Sequence, residues 1–287
     1  MPDFPIVDTH VHLWDPEHFR MPWLDGNTQL NHRFDLQEYE EATAGQPIAA
    51  FVYLEVDVAP QYGLLEVDWV KERAAQDPRL QGIVAYAPVE FGEQARAYLD
   101  ALVQRGELVK GIRRLYQGES DTSFCLRPGF VRGVQMLAEY GLSFDICITH
   151  HHLASTVEMV RRCPETSFIL DHIGKPNIVG HELDPWREGI RALAELPNVI
   201  CKVSGVTTEA DHDSWTVEDI APYIAHVLDC FGEDRVAFGG DWPVATLATT
   251  YQRWIDTLDQ LTSDLSETAK RKLWVENASR FYRLGGS

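Results

Sequence analysis

The run Ile6-Val7-Asp8-Thr9-His10-Val11-His12 begins apolar and ends polar. Side chains alternate along a β-strand, so His10 and His12 leave it on the same face, close to its C-terminal end. Two imidazoles aimed at one point are a pair of metal ligands in need of partners. Taken alone, the pattern is also what two histidines in a wet loop produce; its weight comes from its place at the head of a series. Seven similar runs recur at 49–56 (AAFVYLEV), 82–87 (GIVAYA), 109–115 (VKGIRRL), 142–149 (LSFDICIT), 167–173 (SFILDHI), 198–204 (NVICKVS) and 236–241 (VAFGGD). Most are nearly continuous apolar stretches closed by a polar or charged residue. Strands buried on both faces of a parallel sheet read this way, with functional side chains at their C-terminal ends.

Between the runs the period changes to that of helices. Residues 94–105 carry Ala95, Leu99, Leu102 and Val103 on one stripe; residues 127–140 have Pro128 in the first turn and Gly141 as a stop. Residues 185–196 and 216–231 read alike. Eight alternations without a Pro/Gly/Ser-rich linker predict an α/β fold, a single (β/α)8 TIM barrel over residues 1–287, rather than two doubly wound domains. Residues 13–47 break the rhythm. This stretch is far longer than an ordinary βα loop, and its Trp14 and Trp23 would be costly to leave exposed, so it reads as a lid or substrate wall at the barrel mouth.

Composition agrees. The 287 residues are 45% hydrophobic, which excludes disorder and low complexity. The net charge of −19 disfavours nucleic acid and anionic membrane surfaces; the one dense basic cluster, Lys270-Arg271-Lys272, reads as the solvated face of a helix. No apolar run approaches the ~18 residues of a membrane span and no signal-peptide pattern opens the chain, so a cytoplasmic protein is expected. Five cysteines, none closer than sixteen positions to the next, form neither a disulfide framework nor a CxxC knuckle. A homodimer is left open.

Further features carry chemistry. In Gly239-Gly240-Asp241-Trp242-Pro243 the glycines allow close backbone approach and Asp241 is aimed at the mouth beside His10, because strands one and eight adjoin in a closed barrel. That carboxylate suits a metal or general-base role, with a turn or helix-cap Asp as the plainer alternative. His172, before Gly174 and Pro176, is held by a rigid turn, or is a core histidine bonded to a carbonyl. Of His150, His151 and His152, alternation along the strand lets one or two face inward, and His152 is favoured. Arg113 shares a face with Gly111 while Arg114 takes the other, and its planar fork suits a carbonyl or carboxylate. Glu55 and Lys202 either reach the site or form an ion pair within the barrel. Trp14, Trp23 and Trp242 offer aromatic faces to a ring substrate.

The runs IVDTHVHLWDP, FILDHIGKP, FGGDWPV and the closing NASRFYRL together resemble the metal-dependent hydrolase group of the amidohydrolase superfamily. Within it, the similarity is to the lactonase branch of L-fuconolactonase, L-rhamnonolactonase and 2-pyrone-4,6-dicarboxylate lactonase. The resemblance implies a distorted barrel of amidohydrolase type whose site holds His10, His12, His172 and Asp241, with His152 for the fifth strand. It implies at most one divalent ion, zinc, on His10, His12 and Asp241, because the fourth run offers only Lys110 and Arg113 where a bridging ligand is expected. Since some lactonases of this branch work without metal, a metal-independent site is also compatible. The expected activity is hydrolysis of a small sugar lactone by direct attack of water, with Asp241, His172 and Arg113 catalytic and Trp14, His152, Trp242 and Trp23 binding the substrate. No GxSxG elbow is present to support a covalent route. The alternatives are a non-oxidative decarboxylase, a lactonase of the pyrone-dicarboxylate type and a sugar-acid binder without turnover.

Overall fold

The computed structural model describes residues 4–285. Among these described residues eight parallel strands follow one another around a barrel in chain order: β1 (Ile6–Val11), β2 (Ile48–Leu54), β3 (Leu80–Tyr86), β4 (Val109–Arg113), β5 (Ser143–Ile146), β6 (Phe168–Leu170), β7 (Val199–Val203) and β8 (Val236–Phe238). The β1/β8 seam is joined by a parallel bridge between Val11 and Trp242, by His12 N–H donating to the Trp242 carbonyl at 2.8 Å and by Thr9 Oγ1 donating to the Phe238 carbonyl at 2.5 Å. The fold is the (β/α)8 barrel that the eight runs predict.

Among the described residues ten α-helices surround or close it: α1 (Leu36–Ala42), α2 (Gly63–Ala74), α3 (Arg96–Val103), α4 (Pro128–Leu137), α5 (Leu153–Arg161), α6 (Trp186–Ala194), α7 (Val217–Phe231), α8 (Tyr251–Leu261), α9 (Glu267–Arg271) and α10 (Asn277–Tyr282). Their ends follow local rules. Pro128 begins α4, where a missing N–H costs nothing, and the chain reverses at left-handed Gly141 (φ 65°). Thr216 and Asp219 form a capping box on α7, and Thr250 caps α8 by accepting from Arg253 N–H. The basic cluster is solvated as expected, Lys272 pairing with Glu233 at 2.5 Å and Asp234 at 2.7 Å. Among the described residues no helix is long and apolar enough to cross a membrane.

Inside the barrel, Val52, Leu54, Val84, Ile169 and Ile200 form an apolar layer with Tyr282 of α10. A parallel barrel must fill its interior with side chains, and here the C-terminal helix supplies one of them. The larger core lies between the strands and the helices, where Trp186, Trp254 and Trp274 are completely buried. The stretch 13–47 is not loop throughout: it contains a 3-10 turn (Pro22–Leu24) and α1, packed through Trp14 and Phe34.

One buried acid in this frame sets a pH dependence. Glu66 of α2 accepts from Tyr53 OH at 2.7 Å and from Val56 N–H at 2.8 Å. Burial, reinforced by the neighbouring Glu55 carboxylate, pushes it up to about 8. It therefore enters the folded state carrying a proton, and that stabilisation is complete below its ordinary value of 4.5 and is lost as pH rises through about 8. The melting temperature should fall between pH 6 and pH 9, and Glu66→Gln, which cannot ionise, should flatten that slope. A slope unchanged in the variant would place the titration on another group.

Candidate active site

The Asp8 carboxylate ties the first strand to the turn after the last. Its Oδ1 accepts from His10 N–H at 3.0 Å and Gly240 N–H at 2.7 Å, and its Oδ2 accepts from Tyr251 OH at 2.7 Å and Tyr39 OH at 3.2 Å. Gly240 is required by that approach: a Cβ there would lie 2.5 Å from Asp8 Oδ2 and from the Tyr251 ring. The turn then carries Asp241, itself left-handed (φ 53°), back over the barrel mouth.

There the predicted residues meet. His10 Nε2 lies 3.1 Å from His12 Nε2 and 3.6 Å from Asp241 Oδ1; His12 Nε2 is 3.8 Å and His172 Nε2 3.9 Å from the same oxygen. His12 Nδ1 donates to the Leu54 carbonyl at 2.9 Å, which leaves its Nε2 lone pair facing inward. His172 Nδ1 meets Ser204 Oγ at 3.0 Å. All three imidazoles are neutral at neutral pH: burial, with neighbouring positive charge added, pushes His12 down to about 3 and holds His10 and His172 well below their ordinary value. For Asp241 burial acts in the opposite sense and raises it to about 7, with Lys175 and Arg113 pulling against the rise.

Arg113 closes β4 and enters the barrel, but most of its fork is engaged. Nε donates to Glu55 Oε1 at 2.7 Å, Nη2 to the Glu55 carbonyl, and Nη1 stands 3.5 Å from Asp171 Oδ2 and 3.4 Å from His10 Nε2. Lys202 is buried deeper, 2.6 Å from Asp145 Oδ2, 2.9 Å from Asp171 Oδ1 and 3.4 Å from His10 Nδ1. Burial alone would raise Asp171, yet Lys202, His172 and Arg113 hold it below the usual carboxylate range. Glu55 and Lys202 are thus both ion-paired, though not with each other. Arg114 points away, to Glu90 and Glu119.

A cavity of about 240 Å³ opens above this cluster. His12, His172, Asp241 and Arg113 form its reactive side, and Trp14 and Trp23, edge to face with centroids 5.4 Å apart, form an aromatic wall. The volume lies below the ~300–1,000 Å³ of drug-sized sites, which suits a ligand of about one ring. Two predicted residues are placed elsewhere. His152 is in a 3-10 turn (His150–His152), its Nδ1 3.0 Å from Thr149 Oγ1 and its Nε2 3.2 Å from the Glu119 carbonyl, and it does not line the cavity. Strand alternation does not apply in a turn, which corrects its expected place. Trp242 is buried against Phe34 and Tyr39, supporting the mouth rather than facing a ligand. Sequence reasoning gave no role to Asp57, Lys175, Gln117 and Thr208, which also line the cavity. Asp57 follows Glu55 by two positions, the same spacing as the two histidines, and that signal was available.

The donor set fits one metal ion. A tetrahedral zinc with bonds of about 2.0–2.1 Å holds its ligands about 3.3–3.4 Å apart, close to the 3.1, 3.6 and 3.8 Å that separate the atoms of His10, His12 and Asp241. His10, Asp171 and His172 form a second convergent group, but a second ion there would have to displace the Lys202 ammonium from Asp171 and His10.

Barrel and site together define an amidohydrolase. The Amidohydrolase family model (Amidohydro_2) matches residues 7–284, and the chain belongs to that family. It is similar to an L-fucono-1,5-lactonase of Burkholderia ambifaria (31% identical, covering 97% of this chain and 95% of that protein) and to one of Burkholderia multivorans (29%, covering 97% and 96%). A crystal structure of a Burkholderia multivorans amidohydrolase with bound zinc superposes with a TM-score of 0.86 at 27% identity, covering 98% of this chain and all of that one. The resemblance carried by the four sequence motifs is borne out.

Proposed function

We propose that the protein is a lactonase that opens a small sugar lactone by direct attack of water. The observation that carries this reading is one buried carboxylate, Asp241, pushed up to about 7 by burial, which converges with neutral imidazoles and a cation on a cavity the size of one ring. Asp241 takes the proton of the attacking water and returns it to the ring oxygen as the acyl C–O bond breaks; the products are a hydroxy acid and, at neutral pH, a released proton. Arg113, through the N–H groups its Glu55 contacts leave free, and a protonated ring nitrogen of His172 fix the carbonyl, and Trp14 and Trp23 cover the ring. The nearby nucleophiles do not favour a covalent route. The Cys147 thiol lines the cavity but is pushed up to about 11 by burial, and the Ser204 hydroxyl is completely buried beside His172 Nδ1. The similarity to two L-fucono-1,5-lactonases supports an aldonolactone substrate.

A divalent ion, zinc by its ligand chemistry, would be held by His10, His12 and Asp241. When bound it would polarise the carbonyl and lower the pKa of a coordinated water. Elemental analysis of purified protein should return no more than one metal per chain, and two would refute this ligand assignment.

A pH-indicator assay over a panel of aldonolactones tests the function. Proton release coupled to ring opening is the expected result. Inertness toward every lactone, with CO2 released from an aromatic acid, would replace the proposal with a decarboxylase; inertness with tight binding of sugar acids would leave a binder.

A further inference from the structure

Asp57 lies beyond the end of β2, lines the cavity, and has no part in the chemistry above. Its backbone is left-handed (φ 51°), uncommon for a residue with a side chain, and its N–H donates to Glu55 Oε2 at 2.7 Å. Glu55 therefore holds Arg113 with one oxygen and the Asp57 turn with the other. Of the other acids in this region, Glu55 is occupied by Arg113 and Asp171 by Lys202, while Asp241 faces the histidines. Among the described residues, the Asp57 carboxylate accepts no hydrogen bond and forms no ion pair; the residue is exposed where it lines the cavity, so its oxygens are open to a ligand. An ionised carboxylate can only accept, so an unpartnered one held by a strained turn at a cavity wall is suited to hydroxyl donors of a ligand.

The opposite wall is cationic. Strand order places β2 and β6 four strands apart in an eight-stranded barrel, and Lys175 follows β6. Its ammonium donates to Gln117 Oε1 at 2.7 Å and makes no other hydrogen bond among the described residues, leaving N–H groups free beside Asp241 and His172.

We propose that Asp57 is a specificity residue that accepts hydrogen bonds from neighbouring hydroxyls of the ligand ring, while Lys175 on the opposite wall donates to the ring's carbonyl oxygen. This rests on the lactonase reading and narrows it: the substrate is an uncharged ring bearing adjacent hydroxyls, and a carboxylate in their place is rejected by the like charge of Asp57.

Asp57→Asn tests the assignment, because Asn tolerates the left-handed turn and removes only the charge and one acceptor. With a hydroxylated aldonolactone kcat/KM should fall roughly 10- to 100-fold, chiefly through KM; with δ-valerolactone, which has no hydroxyls, it should stay within about threefold. Asp57→Gly, which relaxes the turn, should show the same contrast at an unchanged melting temperature. Equal losses on both lactones, or none on either, overturn the proposal. Calorimetric titration with a hydroxylated sugar lactam and with δ-valerolactam reads the contrast without turnover. A protein that opens no lactone yet weakens only toward the hydroxylated lactam in Asp57→Asn refutes the lactonase reading and keeps Asp57 as a hydroxyl acceptor; equal lactam affinities in wild type and variant refute the Asp57 assignment.

Discussion

Asp241→Asn should lower kcat on the best lactone by about 10²-fold or more while the protein remains folded. The exchange keeps the shape of the side chain and removes its basicity. The fold should not notice, because Asn tolerates the left-handed backbone (φ 53°) and the carboxylate's near neighbours are histidines at 3.6 to 3.9 Å rather than hydrogen-bond donors of the scaffold. Burial raises the group to about 7, where a general base is most useful: ionised in a good fraction of molecules at neutral pH and still basic enough to take a proton from water. Only the ionised form accepts, so kcat/KM of the metal-free wild type should climb with pH through about 7 and level off above it, a bound cation would shift that limb to lower pH, and Asp241→Asn should lose it. A folded variant with near-wild-type kcat would move the proton to His172, whose Nε2 lies 3.9 Å from Asp241 Oδ1.

The barrel was legible because its strands are buried on both faces and therefore written as uninterrupted apolar runs, the same property that separates them from the striped helices. His10, His12, Arg113, His172 and Asp241 were legible because they terminate such runs. The strand ends were not: β5, β6 and β8 stop at Ile146, Leu170 and Phe238, each three residues before the expected end. Past Leu170 the chain enters a turn with His172, Ile173 and Lys175 at φ of 52°, 49° and 47°. A β-branched isoleucine is a poor candidate for that region, so side-chain type argued for continued strand, and tertiary packing overrode it at a cost of order 1–3 kcal/mol per strained residue. The same limit misplaced His152, since alternation carries no information in a 3-10 turn. Lys202 could not be resolved from sequence because its partners, Asp145 and Asp171, come from runs 30 or more residues away; their charges inside apolar stretches were visible, but the pairing was not.

That pairing carries the largest expected effect on stability. Lys202 is completely buried; it donates to Asp145 Oδ2 at 2.6 Å, pairs with Asp171 Oδ1 at 2.9 Å and stands 3.4 Å from His10 Nδ1. Tyr282 OH donates to the same Asp145 oxygen at 2.6 Å, so the barrel plug is fixed to the cluster as well. Lys202→Met preserves length and apolar contact while leaving two carboxylates facing each other in a dry interior. Breaking a buried pair from one side costs about 3–5 kcal/mol, which for a chain of this size is a fall in melting temperature on the order of 10 °C. The variant's acids should answer by holding protons, their folded pKa rising above the usual carboxylate value. Stability supplied in that form is complete below the unfolded pKa and lost as pH rises through the folded one, so the deficit should narrow from pH 8 toward pH 5. Adding Asp145→Asn should recover part of the loss at neutral pH by removing one of the opposed charges. A Lys202→Met protein melting within about 2 °C of wild type would show that these carboxylates are already protonated without the lysine. Recovery of stability without recovery of turnover in the double variant would instead separate two roles of the cluster, leaving the orientation of His10 by Lys202 and Asp171 as the one on which catalysis depends.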